Sequence, residues 1–235
     1  MIYALQIAAV AFGLALVAFF NINGLRNIKL LLAFSGAYLF SIVILHFLPE
    51  LVESKGAGIG LFILGGFLLQ ILLDFYSTGL EHGHFHKEHF AERVLPASAI
   101  AGLYMHAFFE GLPISLQASE QSTQMLLAAI ILHKVPITVV LYTLLFSLHI
   151  KPKSIWMALI GFALISPLGT LVGAIIPGVS NFADYLTAFA TGIFLHVSTT
   201  ILFESSHNHK YNLAKLIIVV IGMALAYASI LFMGH

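Results

Sequence analysis

Two short stretches carry side chains for which a run of apolar residues has no use. "HAFFEG" sets His106 and Glu110 four residues apart, and "HKVP" sets His133 beside Lys134, three residues before Pro136. Side chains at i and i+4 share one face of a helix, one turn apart, so in the first stretch an imidazole and a carboxylate point together. Nitrogen and oxygen donors of this kind suit zinc and other borderline divalent cations. The chain has no cysteine, which excludes disulfides, thiolate catalysis and soft sulfur ligation and leaves nitrogen and oxygen to hold any metal.

The elements that carry these residues belong in a bilayer. With 60% hydrophobic residues, 9% charged residues and a mean hydropathy of +1.01, too little polar surface remains to cover a water-soluble core. A span needs about 20 apolar residues, and on that criterion eight segments emerge, at roughly 2–20, 30–52, 59–78, 97–117, 123–147, 154–176, 182–203 and 213–233. The first lacks a basic leader and a cleavage site, so it is expected to be a retained span rather than a signal peptide. Together they predict an all-α membrane protein with one transmembrane domain over residues 1–235, interrupted by a His-rich cytosolic loop at about 79–96. Basic residues stay on the cytoplasmic side, and Arg26, Lys29, Lys87, Arg93, Lys151, Lys153, Lys210 and Lys215 fall in alternate loops. Both termini are therefore expected outside, in a bacterial inner or plasma membrane. The zero net charge says nothing about partners, since the charges are distributed by topology, but no basic arm exists and nucleic acid is not an expected partner. After Lys55 is placed in an outer loop, Lys134 alone among the basic residues remains within the hydrocarbon.

A charged group there costs about 3 kcal/mol, so it persists where it pairs, ligates or lines a wet cavity. The loop "ASEQST" between the fourth and fifth spans is short, which predicts antiparallel neighbours. At about 1.5 Å per residue, His133 lies roughly 15 Å below the outer end of its span, and His106 and Glu110 roughly 16 and 10 Å below theirs. Three candidate ligands are thus expected near the midplane. Proline adds to this, because inside a helix it releases the carbonyl four residues earlier. Pro136 frees Leu132 beside His133, Pro113 frees Phe109 beside Glu110, and Pro49 in "LHFLPE" frees Leu45 beside His46. Each alone reads as an ordinary kink, but together they predict a hydrated path.

Other polar residues fall on either side of that level. His46 and Glu50, again at i and i+4, lie near the outer surface and read either as an entrance or as interfacial polar residues. His196 falls on the inner half and Glu204 at the inner edge, as an exit or, for His196, as hydrogen-bonded helix packing. Asp74, one turn after Gln70, is expected to face the cytoplasmic headgroups. The third loop, "EHGHFHKEHFAER", carries His82, His84, His86 and His89, which read as weak metal capture or as a plain soluble linker. "LHFLPELVES" and "LHVSTTILFES" echo each other in spans two and seven, which run in opposite directions, as inverted repeats around spans four and five would.

The run "HAFFEG" followed on the next helix by "HKVP", with "HFLPE" in span two, a His-rich third loop and eight spans, resembles the ZIP divalent-metal transporters. The resemblance takes in nearly the whole chain. It implies zinc as the usual substrate, often with iron or manganese, uptake toward the cytosol, a three-two-three helix arrangement with inverted outer repeats, and a homodimer. It also implies that His106, Glu110 and His133 bind the metal, with His46 contributing from the second helix. The metal is then substrate, and no cofactor is expected. Many relatives place an acidic residue directly after the fifth-span histidine and another after the proline, forming a second metal subsite, whereas this chain has Lys134 and Ile137. Ala107 stands where others carry an amide or hydroxyl. Lys134 is therefore expected to modulate the site by neutralising Glu110 in place of a second cation, or else to snorkel or pair elsewhere.

Two rival chemistries remain. An intramembrane zinc metallohydrolase would use the same residue types to activate water, but HExxH spacing is absent from "HAFFE" and no second histidine follows. Axial haem ligation by His106 and His133 would leave Glu110 and Lys134 as costly bystanders.

Overall fold

The computed structural model describes residues 1–20, 25–77, 96–203 and 213–233. The chain is helical throughout these, with no strand among the described residues: α1 (Ile2–Phe20), α2 (Leu25–Ile42), α3 (Leu48–Lys55), α4 (Gly60–Ser77), α5 (Ala97–Gly111), α6 (Glu120–Ser147), α7 (Pro152–Ile175), α8 (Ala183–Phe203) and α9 (Leu213–Met233). A π turn, Val43–Phe47, joins α2 to α3, and a 3-10 segment, Leu112–Leu116, continues α5.

Proline and capping chemistry account for the breaks. Pro49 falls in the first turn of α3, where its missing N–H does no harm, and the π turn carrying His46 lies just before it. Pro113 likewise opens the 3-10 segment, so α5 stops one residue after Glu110. Only Pro136, of the three prolines singled out by their position, stays inside an α-helix. Ser119 caps α6, its hydroxyl accepting from the Ser122 N–H at 3.0 Å. Gly56, with φ of 67°, ends α3 in a backbone conformation that residues with a Cβ rarely adopt.

Seven helical stretches among the described residues are long and apolar enough to cross a membrane, while Gly60–Tyr76 is a shorter apolar helix. The all-α membrane class expected from composition therefore holds, and the third expected span is the short one. Its first residue, Ile59, falls in a separate 3-10 turn, Ala57–Ile59.

Packing sorts the helices into two groups. One joins α1 to α6 and α7, and α5 to α7; the other joins α2 to α8 and α9, and α4 to α8. The seams inside each group are closed by glycine. A Cβ on Gly169 would meet the Phe108 carbonyl oxygen and one on Gly111 that of Ser166, so α5 and α7 touch backbone to backbone. Gly66 and Gly192 do the same between α4 and α8. α5 and α6, expected as packed neighbours from their short connection, do not pack closely along their backbones. Bulky polar side chains, rather than glycines, face one another between them. α6 lies at the centre, with 78% of its apolar span buried, whereas only 11% of α9 and 22% of α1 is covered, which leaves those two helices for lipid.

Candidate metal site

α5 and α6 hold the expected ligands at the same level. His106 Nε2 lies 3.3 Å from Glu110 Oε2, one turn apart on α5, with both residues buried. From α6 the His133 ring stands edge-on to His106, their centroids 5.9 Å apart and their planes at 74°. Neither nitrogen of His133 has a hydrogen-bond partner among the described residues, although the residue is only 1% exposed. Buried polar atoms are nearly always paired, and an imidazole with both nitrogens dry and unpaired is destabilising unless something else satisfies it. Among the described residues no three His, Asp or Glu side chains are gathered tightly enough to hold a metal ion. His106 and Glu110 meet, and His133 waits across the space between the two helices.

Lys134, expected either to neutralise Glu110 or to pair elsewhere, forms no close ion pair with Glu110 among the described residues. Its Nζ is buried and has neither a hydrogen-bond nor an ion-pair partner among the described residues. Instead it lies 4.6 Å from the centre of the Phe162 ring on α7, where the negative face of the aromatic attracts it. α7 also supports the ligand helix. Ser166 Oγ donates to the Ala107 carbonyl at 2.9 Å and lies 3.3 Å from Glu110 Oε1, and Thr170 Oγ1 donates to the Gly111 carbonyl at 2.9 Å. These hydroxyls hold α5 where it changes pitch before Pro113.

Nearer the start of α6, His46 Nε2 lies 3.5 Å from Glu50 Oε2, and Ser122 Oγ meets both Glu50 oxygens at 2.9 and 3.1 Å. Glu50 is 41% exposed. Ser122 is eleven residues before His133 on α6, about 16 Å along the axis, so this pair forms a separate level and does not complete the buried cluster.

On the other side the structure connects residues that sequence reasoning left apart. His106 Nδ1 lies 3.0 Å from Gln70 Oε1, Gln70 Nε2 donates to Asp74 Oδ1 at 2.9 Å, and His196 Nδ1 is 3.3 Å from Asp74 Oδ2. Phe67 packs edge-on against His196 at 4.9 Å. Asp74, expected at the headgroups, instead turns inward to Gln70 and His196, because two polar partners are available in an otherwise apolar interior. Gln70 and Asp74 were legible by the rule that found His106 and Glu110, since "QILLD" has the same i, i+4 spacing within an apolar run. Glu204 and the loop histidines His82, His84, His86 and His89 lie outside the described residues.

A curated relative, "Protein zntD" of Dictyostelium discoideum, is 28% identical over 159 residues, covering 61% of this chain and 23% of that protein. The chain thus matches about a quarter of that relative's length. The profile of the family described as ZIP zinc transporter matches residues 81–229, from before α5 into α9. That stretch is more than half of the chain and contains His106, Glu110 and His133, so the protein belongs to the ZIP zinc transporter family.

Proposed function

We propose that this protein carries a divalent transition-metal cation, zinc first, across the membrane into the cytosol, holding it on His106, Glu110 and His133 between α5 and α6. The observation that carries this reading is the buried His133 ring, whose two nitrogens have no hydrogen-bond partner among the described residues while it stands edge-on to His106. A cation drawing the three side chains together would satisfy all of them at once. Family membership supports transport over hydrolysis, and the missing HExxH spacing removes the general base that a metallohydrolase of that type would need.

The path reads from outside inward. His46 and Glu50 form the entrance, the α5–α6 cluster the midpoint, and His196 with Asp74 the inner side, with Glu204 beyond them. The loop histidines collect the ion on the cytosolic side. Eight spans with both termini outside is the reading that the loop charges support, and inverted outer repeats is the one that the packing supports. Exchanging spans one, two, three and four with six, seven, eight and five turns the α4–α8 pairing into α2–α9 and the α5–α7 pairing into α1–α6, all of which occur. The glycine-sealed seams lie within the two helix groups and the ligands near their boundary, an arrangement suited to one group rocking against the other. Two such chains would form the homodimer. Lys134 keeps a positive charge beside the ligands, which disfavours a second cation. After exchange for Asp, bound zinc should rise from one per chain toward two; a stoichiometry still at one would remove that role.

The reading is tested with purified protein in vesicles loaded with a zinc-sensitive dye. Uptake by the unmodified chain and its loss in both His106→Ala and His133→Ala are expected. Uptake in both variants equal to that of the unmodified chain would overturn the site.

A further inference from the structure

Gln70 is fully buried in α4 and contacts the His106–Glu110 pair, yet it belongs to no expected ligand set. Its neighbours fix which way it faces. The Asp74 carboxylate can only accept when ionised, so the Gln70 amide NH2 must point to Asp74 Oδ1, at 2.9 Å. The amide oxygen is then the atom 3.0 Å from His106 Nδ1. An oxygen there accepts, so Nδ1 must carry the proton. His196, 3.3 Å from the other Asp74 oxygen, holds the carboxylate in turn. His106 Nε2 is left as the nitrogen facing Glu110 Oε2, 3.3 Å away and on the side of His133.

We infer that Gln70 is a positioning residue: held by Asp74 and His196, its amide oxygen fixes the His106 ring and its Nδ1 proton, so that His106 presents Nε2 to the transported cation. This rests on the reading of His106 as a ligand. Metal-binding histidines are commonly set in this way by the hydrogen bond of the other ring nitrogen. Here the acceptor comes from α4, in the opposite helix group, so the ligand's orientation depends on how the two groups sit. When α4 and α5 move apart, the Nδ1 bond loosens and His106 is freed to turn.

The test combines spectroscopy with binding. In zinc-loaded protein labelled with 15N-histidine, the His106 signals are assigned as those lost in His106→Ala. The inference expects zinc on Nε2 and a proton retained on Nδ1; zinc on Nδ1 would overturn it with no variant needed. Gln70→Leu should weaken zinc binding roughly 10–100-fold, the range for loss of such a partner. The exchange Gln70→Glu with Asp74→Asn, which restores an acceptor to His106 and a donor to that acceptor, should recover binding to within a few-fold. Equal affinity in Gln70→Leu and the unmodified protein, or an exchange no better than Gln70→Leu, would overturn it. If zinc leaves the His106 signals unmoved and His106→Ala transports normally, the ligand reading fails instead.

Discussion

The pairs His46–Glu50 and His106–Glu110 have the same spacing and opposite surroundings. Both set an imidazole and a carboxylate one helical turn apart, at 3.5 Å in the first and 3.3 Å in the second. The first sits where α2 passes through a π turn into α3, with Glu50 reaching water and tied to Ser122. The second is closed in by Ser166 from α7, Gln70 from α4 and the His133 ring from α6. Exposed charge pairs are screened and contribute little, whereas a buried pair leaves strong, directional donors in a medium without competing water. Spacing makes a pair of ligands available. What surrounds them decides whether they hold an ion.

The comparison breaks first at the buried pair's partner. His106→Ala or His133→Ala should reduce zinc uptake by more than the roughly 100-fold upper end seen for outer-shell changes, while His46→Ala should raise the concentration for half-maximal uptake only several-fold. Initial rates in dye-loaded vesicles over a zinc series separate the two, and equal losses would erase the distinction. Acidification comes next. Protons compete for the same imidazole and carboxylate atoms as the metal, so bound zinc should fall as pH falls, by up to about tenfold per unit for each proton displaced. Calorimetric titration at several pH values measures this, and affinity unchanged between neutral and mildly acidic buffer would contradict ligation by these groups. A smaller effect is expected from Ser166→Ala, which takes a hydroxyl from beside Glu110 and from the Ala107 carbonyl at a net cost of about 1 kcal/mol, or roughly fivefold in zinc affinity. Ser122→Ala should be the mildest, below about threefold in uptake, because water can replace its hydroxyl at the half-exposed Glu50. If Ser122→Ala is the more damaging of the two, the outer pair is the tighter site.

Much of the fold was legible because apolar runs and polar punctuation are local. The helices α5 to α9 fall close to the expected spans, and charge placement singled out Lys134 as an intramembrane cation. The positions of His106, Glu110 and His133 were likewise readable, since i, i+4 spacing and depth follow from helix geometry alone. Contacts between helices were not. A short loop does not force two helices to pack, and α5 found a closer fit against α7 because Gly169 and Gly111 admit backbone contact there. Lys134 could be placed within an apolar run but not aimed, and its contact with the Phe162 ring of α7 had no local signal. Gln70 and Asp74 carried the right signal, but their partners lie on α5 and α8, far away in sequence.

The claim that an ion sits between α5 and α6 is tested most directly by anomalous scattering at the zinc edge from zinc-loaded crystals of the purified protein. The account predicts a peak within bonding distance of His106, Glu110 and His133, absent from crystals of His133→Ala. A peak confined to other residues, or one that persists unchanged in that variant, would contradict it.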